Sequence, residues 1–77
     1  MSLGNNIRKL RFEAGEMTQQ QLADRIGTSR MTVYSIENGK FVPSTLLALK
    51  ISEVFGKPVG EVFFIVEEEH DRRKKRK

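Results

Sequence analysis

Residues 18–40 read TQQQLADRIGTSRMTVYSIENGK and carry the strongest structural pattern in this 77-residue chain. Thr18 and Gln21 have capping-box spacing, in which each side chain bonds the backbone N–H of the other residue at the start of a helix. Gly27 can adopt the left-handed conformation that ends this helix. Its predicted inner face consists of Leu22, Ala23 and Ile26, which recur at helical spacing.

A second helix is predicted directly after the first. Ser29 is a good N-cap for it, and Asn38-Gly39 can end it. Val33 and Ile36 are its inward-facing residues by the same spacing. Two short helices therefore meet across a turn of Gly27-Thr28-Ser29, which is the spacing of a helix-turn-helix.

Helical patterns continue on both sides of this stretch. Residues 6–14 form one apolar stripe, with Asn5 or Asn6 as its cap and Gly15 at its end. Ser44 caps a fourth helix, which its apolar residues mark as the most buried: Leu46, Leu47, Leu49, Ile51, Val54 and Phe55. A short fifth helix is predicted from Val59 to Phe63 or Phe64.

This order of helices predicts an all-α, five-helix domain over residues 1–69, followed by a basic tail over residues 70–77 that we expect to be disordered. The run from Val62 to Val66 is continuously apolar, whereas a short helix can hide only one stripe. Either a partner chain covers the end of the fifth helix, or residues 64–67 form a short C-terminal β-strand at a dimer interface. No structure is predicted for residues 1–3.

The net charge of +4 comes from the tail, which reads DRRKKRK over residues 71–77. The folded body is nearly neutral, so basicity alone does not indicate nucleic-acid binding. The tail is interpreted either as a solvated end or as an arm with weak, non-specific affinity for DNA.

Several classes of protein are disfavoured by composition. The chain has no cysteine, no signal-peptide pattern and no apolar run long enough for a membrane, so we expect a cytoplasmic protein. Its single histidine, His70, lies in the tail. Without a Cys/His cluster or a glycine-rich phosphate loop, we expect no enzyme, no metal, no cofactor and no small-molecule ligand.

Residues 18–40 resemble the Xre/Cro group of phage and bacterial repressors, most specifically in Thr-Gln-x-x-Leu-Ala and Ile-Glu-Asn-Gly. The resemblance covers about Ile7 to Phe63 and implies a lambda-repressor-like fold and a sequence-specific transcriptional regulator, with repression as its expected action. It also implies a structural ion pair between Arg11 and Glu37. The chain departs from the family pattern at residues 15–17, where it is longer by a residue.

The first turns of the helix after Ser29 are expected to reach the base edges of double-stranded DNA, because the major groove admits one α-helix. Arg30 is the strongest candidate, since its guanidinium can bind guanine O6 and N7 together; otherwise it is a solvated surface residue. Met31 or Thr32 can contact a thymine methyl group. The predicted base-contacting residues are Ser29, Arg30, Met31, Thr32 and Ser35.

Phosphate contacts are expected to fix the register on DNA. Gln19 begins a helix, where free N–H groups and the helix dipole favour an anion. The resemblance implies that Gln19 clamps a phosphate and steadies Arg30, and that Asn38 and Lys40 hold phosphate through backbone N–H and side chain. Tyr34 can bond a phosphate or pack beside the preceding helix.

A homodimer is predicted because one reading helix covers few base pairs, and a two-fold dimer places two such helices about 34 Å apart. The surplus apolar surface near the C-terminus would supply the interface, with strand pairing between symmetry mates. Val62 and Phe63 can equally fill the core of the monomer. The predicted interface residues are Val59, Val62, Phe63, Phe64, Ile65 and Val66.

The alternative is a protein-interaction module, such as an antitoxin or a coactivator-like adaptor, because a fold does not fix a function. The regulator is favoured over the interaction module by three residues in positions suited to DNA contacts, namely Arg30, Gln19 and Lys40.

Overall fold

The computed structural model describes residues 1–67, so the predicted basic tail and His70 lie outside the described residues. The elements in chain order are β1 (Ser2–Asn5), α1 (Ile7–Glu13), α2 (Gln19–Ile26), α3 (Arg30–Glu37), α4 (Thr45–Phe55), α5 (Val59–Val62) and β2 (Phe63–Val66). The five helices confirm the predicted fold class, and the strand expected near the end of the chain is present as β2. None of the described helices is long and apolar enough to cross a membrane.

The helix pair α2–α3 forms for the local reasons read from the sequence. Thr18 Oγ1 accepts a hydrogen bond from the backbone N–H of Gln21 at 3.0 Å, and Gln21 Oε1 accepts one from Thr18 N at 2.9 Å. This completes the capping box and fixes the start of α2. Gly27 ends α2 in the left-handed conformation, with a φ of 75°. The chain can then turn at once into α3, which packs against α2.

One hydrophobic core holds the helices together, and α3 is fixed to it by its inner side. The predicted inner faces of α2 and α3 are confirmed, because all five of their apolar residues are buried. The fully buried side chains are Ile7, Leu22, Ile26, Val33, Ile36, Ile51 and Val62. Burying each such side chain is worth about 1.5–3 kcal/mol, so the opposite side of α3 is held facing outward.

Helix α4 is less buried than its sequence suggests. Ile51 is its one fully buried residue, whereas Leu46 and Leu49 are 64% and 51% exposed. Only the side facing α2 and α5 is covered, because a domain this small has no further layer to place on the other side. The prediction that α4 is the most buried helix is therefore wrong, and the exposed leucines leave apolar surface on its outer side.

The turn between α1 and α2 takes up the additional residue without disturbing the start of α2. Gly15 and Glu16 both have a positive φ, at 89° and 59°, so two successive left-handed residues reverse the chain. A non-glycine residue in this region is unusual and carries some backbone strain. Met17 is nevertheless buried in the core, and it supplies the expected apolar contact before α2.

The N-terminal residues form a strand that the sequence analysis missed. β1 pairs with β2 in antiparallel register, with Gly4 opposite Phe64. The Phe64 ring lies across Gly4, where a Cβ atom would be 2.4 Å from a ring carbon, so this position needs a glycine. One edge of β2 is thus satisfied within the chain. This corrects the prediction that a symmetry mate fills that edge, because pairing with another copy can use only the other side of β2.

Candidate nucleic-acid interface

The outer side of α3 is a polar and amphipathic surface. Arg30 and Met31, in its first turn, are exposed, and Tyr34 is exposed one turn later. Residues three and four apart are neighbours on a helix, so these three side chains lie on one outward stripe. Tyr34, for which a phosphate bond and packing beside α2 were both predicted as alternatives, therefore shares the stripe of the predicted base-reading residues. Of the remaining predicted base contacts, Ser29 is exposed, whereas Thr32 and Ser35 are half-buried.

The hydroxyl groups at the start of α3 are engaged in capping it. Ser29 Oγ accepts the backbone N–H of Thr32 at 3.1 Å and lies 3.0 Å from Thr32 Oγ1. These bonds satisfy a backbone donor that would otherwise lack a partner at the helix start. The two hydroxyls are therefore partly used within the protein, and Arg30 and Met31 are the least restricted side chains of the first turn.

Gln19, the first residue of α2, is held by α3. Its Nε2 atom donates a hydrogen bond to Glu37 Oε1 at 3.1 Å. The resemblance implied that Gln19 steadies Arg30, but its amide group instead reaches the other end of α3. This contact fixes the start of α2 relative to the end of α3, which are the two places where phosphate contacts are predicted.

Glu37 is the centre of an ion-pair network. Arg11 Nε and Nη2 donate to its two carboxylate oxygens at 2.6 and 3.0 Å, which is the bidentate geometry expected of a guanidinium and a carboxylate. Arg11 Nη1 also donates to the carbonyl oxygen of Met17 at 2.7 Å. The two charged side chains are only 15% and 7% exposed. The Glu37 carboxylate thus joins α3 to α1 and to Gln19 of α2, and Arg11 extends the network to the turn before α2.

Asn5 adds a contact that the sequence analysis missed. Its Oδ1 atom accepts the backbone N–H of Ile7 at 3.1 Å, which caps α1, while its Nδ2 atom donates to the carbonyl oxygen of Ile36 at 3.0 Å. One side chain therefore serves the start of α1 and the end of α3. The role of Asn5 at the start of α1 could be predicted from the sequence. Its contact with α3 depends on β1, and no local sequence pattern indicated it.

The end of α3 is closed by its own backbone. The N–H groups of Asn38 and Lys40 donate to the carbonyl oxygens of Tyr34 and Ser35, at 3.1 and 2.9 Å. The side chain of Asn38 also donates to Tyr34 O, at 2.8 Å. These groups were expected to hold phosphate but already have partners within the chain. The phosphate contact predicted here therefore depends mainly on the exposed side chain of Lys40.

The residues predicted for a dimer interface divide into two groups. Val62 is fully buried and Phe63 is nearly so, both in the core of the chain, and we therefore no longer include them in an interface. The other members of the set are exposed, namely Val59, Phe64, Ile65 and Val66. Within residues 1–67, no group of acidic, histidine or cysteine side chains is placed to hold a metal ion.

Comparison with known proteins agrees with this arrangement. A family model described as helix-turn-helix matches residues 7–62. The HTH-type transcriptional regulator YgzD of Bacillus subtilis, itself uncharacterized, is 42% identical over 83% of this chain and 96% of its own length. Control protein C.MunI of a Mycoplasma species is 38% identical, over 86% of this chain and 89% of the relative. The competence pilus inhibition repressor of Acinetobacter baylyi is 34% identical, over 87% of this chain and 60% of the relative.

The matched region contains α2, α3 and the Arg11–Glu37 pair. Its helices follow the order and the capping pattern that the sequence predicted. Two of these relatives are named as a transcriptional regulator and a repressor. The chain belongs to the Xre/Cro-like helix-turn-helix family of transcriptional regulators.

Proposed function

We propose that the chain is a homodimeric repressor that reads operator DNA with α3 in the major groove. The observation that carries this proposal is the division of α3 into two sides. Its aliphatic residues are anchored in the core, whereas Arg30, Met31 and Tyr34 project outward from its first two turns. An exposed helix of this kind can enter the groove with its N-terminal end against the bases.

The test is selection of bound sequences from random double-stranded DNA. A homodimer that reads DNA in this way should enrich a palindrome whose half-sites lie about 10–10.5 base pairs apart, centre to centre. Placing the selected site between a promoter and a reporter should lower transcription when the protein is present. A protein that retards no DNA at low salt but captures a protein partner would support the alternative, an interaction module.

The proposed dimer interface is an apolar face centred on α5. Val59 is exposed on α5, and α5 contacts both α4 and β2. Leu46 and Leu49 are exposed on α4, and Phe64, Ile65 and Val66 are exposed on β2, so we include them in the proposed face. Exposed apolar surface of this kind is typical of a protein–protein contact. An isologous contact through it would use the same residues on both copies.

Leu49→Glu is expected to shift the dimer to monomer, because it places a carboxylate on each side of the two-fold contact and leaves it poorly solvated. Sedimentation equilibrium at tens of micromolar should show the change in mass, and thermal melting should confirm that the fold remains. Ile65→Glu makes the matched change on β2 and reports whether the strand belongs to the interface. A wild-type chain that sediments as a monomer would refute the dimer.

A further inference from the structure

A groove of about 660 Å³ runs along the outer side of α1 and ends at the start of α2. Arg8, Lys9 and Phe12 line it from α1, and Glu16 and Thr18 line it from the turn before α2. Thr18 is the residue that caps α2, next to Gln19. The groove is therefore continuous with the place where the proposed function puts a phosphate.

The charge of the groove is unevenly distributed. Arg8 and Lys9 are exposed, and within residues 1–67 neither is in an ion pair with a carboxylate. Arg11, in contrast, has its charge compensated by Glu37. Glu16 follows the end of α1, in the turn before α2, whereas Arg8 lies in the first turn of that helix. Arg8 and Lys9 thus offer two cations that have no ion-pair partner within residues 1–67.

Phe12 gives the groove an apolar surface beside these cations. Its side chain is 69% exposed, although it follows Leu10, which is in the core. Cations beside an exposed ring suit a partner with regularly spaced anions joined by less polar units. The sugar–phosphate backbone of DNA has this chemistry, with a phosphate for every 3.4 Å or so of helix axis along each strand.

We propose that this groove is a second contact for the DNA backbone, in which Arg8 and Lys9 bind phosphates that flank the half-site read by α3. The inference rests on the proposed function and extends it. A strand that passes the start of α2 at Gln19 continues along the groove, so its next phosphates come within reach of the two side chains. These contacts add affinity and salt dependence and carry no base preference.

The test compares Arg8→Gln with Arg25→Gln, which removes the same charge from the exposed last turn of α2, outside the groove. Affinity for the selected operator is measured from 50 to 200 mM salt. Arg8→Gln should weaken binding about fivefold to tenfold at low salt, and make the slope of log K against log salt shallower by about 1.8, because each of the two protomers loses one phosphate contact and each contact contributes about 0.9 to the slope. Its selected sequence should not change. Arg25→Gln should keep the wild-type slope.

A second arm locates the contact on the DNA. Flanking phosphates of the operator are replaced one at a time by neutral methylphosphonates. Wild-type protein should lose affinity at one or two flanking positions, and Arg8→Gln should be insensitive at one of them. If Arg8→Gln keeps the slope of Arg25→Gln and the wild-type response to every methylphosphonate, the inference is wrong while the proposed function stands. If the wild-type chain selects no DNA sequence, both are overturned.

Discussion

Replacing Glu37 with alanine should lower the free energy of unfolding by about 2–3 kcal/mol, which is toward the low end for breaking a buried ion pair because Arg11 keeps some solvent. After the substitution, the Arg11 guanidinium still donates to the Met17 carbonyl oxygen but has lost its carboxylate partner. The side-chain amide of Gln19 has lost its hydrogen-bond acceptor. A domain of this size gains roughly 0.05–0.15 kcal/mol of stability per residue, so the loss is a large part of the total.

Thermal and urea melting at one fixed protein concentration would measure this loss, since the stability of a dimer depends on concentration. The melting temperature should fall by about 10–20 °C. Glu53→Ala is the matched control, because it removes a carboxylate from an exposed position on α4 and should change stability by about 0.5 kcal/mol or less. Equal melting of the two variants would show that the network contributes nothing to the fold.

Arg30→Ala should weaken binding to the selected operator by at least about thirtyfold, because a bidentate contact to guanine is worth about 1–3 kcal/mol and the dimer loses one in each half-site. Arg30 is exposed at the first position of α3 and has no contact with the core. A positive charge at a helix N-terminus is mildly unfavourable, so the variant should melt at or slightly above the wild-type temperature. Stability and affinity would then change independently.

Repeating the DNA selection with the alanine variant would identify the base that Arg30 is proposed to contact. The alanine variant should lose preference for guanine at one position of each half-site and retain the other preferences. Arg30→Lys keeps the charge but not the bidentate hydrogen-bonding geometry of the guanidinium. Its affinity should therefore lie between those of the alanine variant and the wild type. An alanine variant that enriches the wild-type sequence with wild-type affinity would contradict base reading by Arg30.

The helices could be predicted because their signals are local. Thr18 with Gln21 and Ser29 with Thr32 form caps within four residues, and Gly27 ends α2 by its own backbone preference. Apolar spacing then identifies the inner faces, since a helix repeats every 3.6 residues. The same patterns are sufficient to show which side of α3 faces outward.

What the sequence did not reveal depends on packing between distant segments. β1 exists because Phe64 covers Gly4 across the two strands, sixty residues apart in sequence. Leu46 is exposed because α2 covers only part of the α4 surface, and the local sequence pattern of α4 does not indicate how large that part is. The contact of Gln19 with Glu37 likewise depends on how α2 and α3 cross. The hydrogen-bond partners of these side chains therefore could not be predicted from the sequence.

The dual role of Asn5 has a consequence for local opening of the native protein. Asn5 ends β1 and also bonds the last carbonyl groups of α3, so the sheet and the end of α3 cannot fray separately. In native-state hydrogen exchange, the amide of Asn6, bonded to Val62, should become accessible in the same cooperative event as that of Lys40, bonded to Ser35. The first residues of the chain would then set how often the end of α3, the helix proposed to contact DNA, opens.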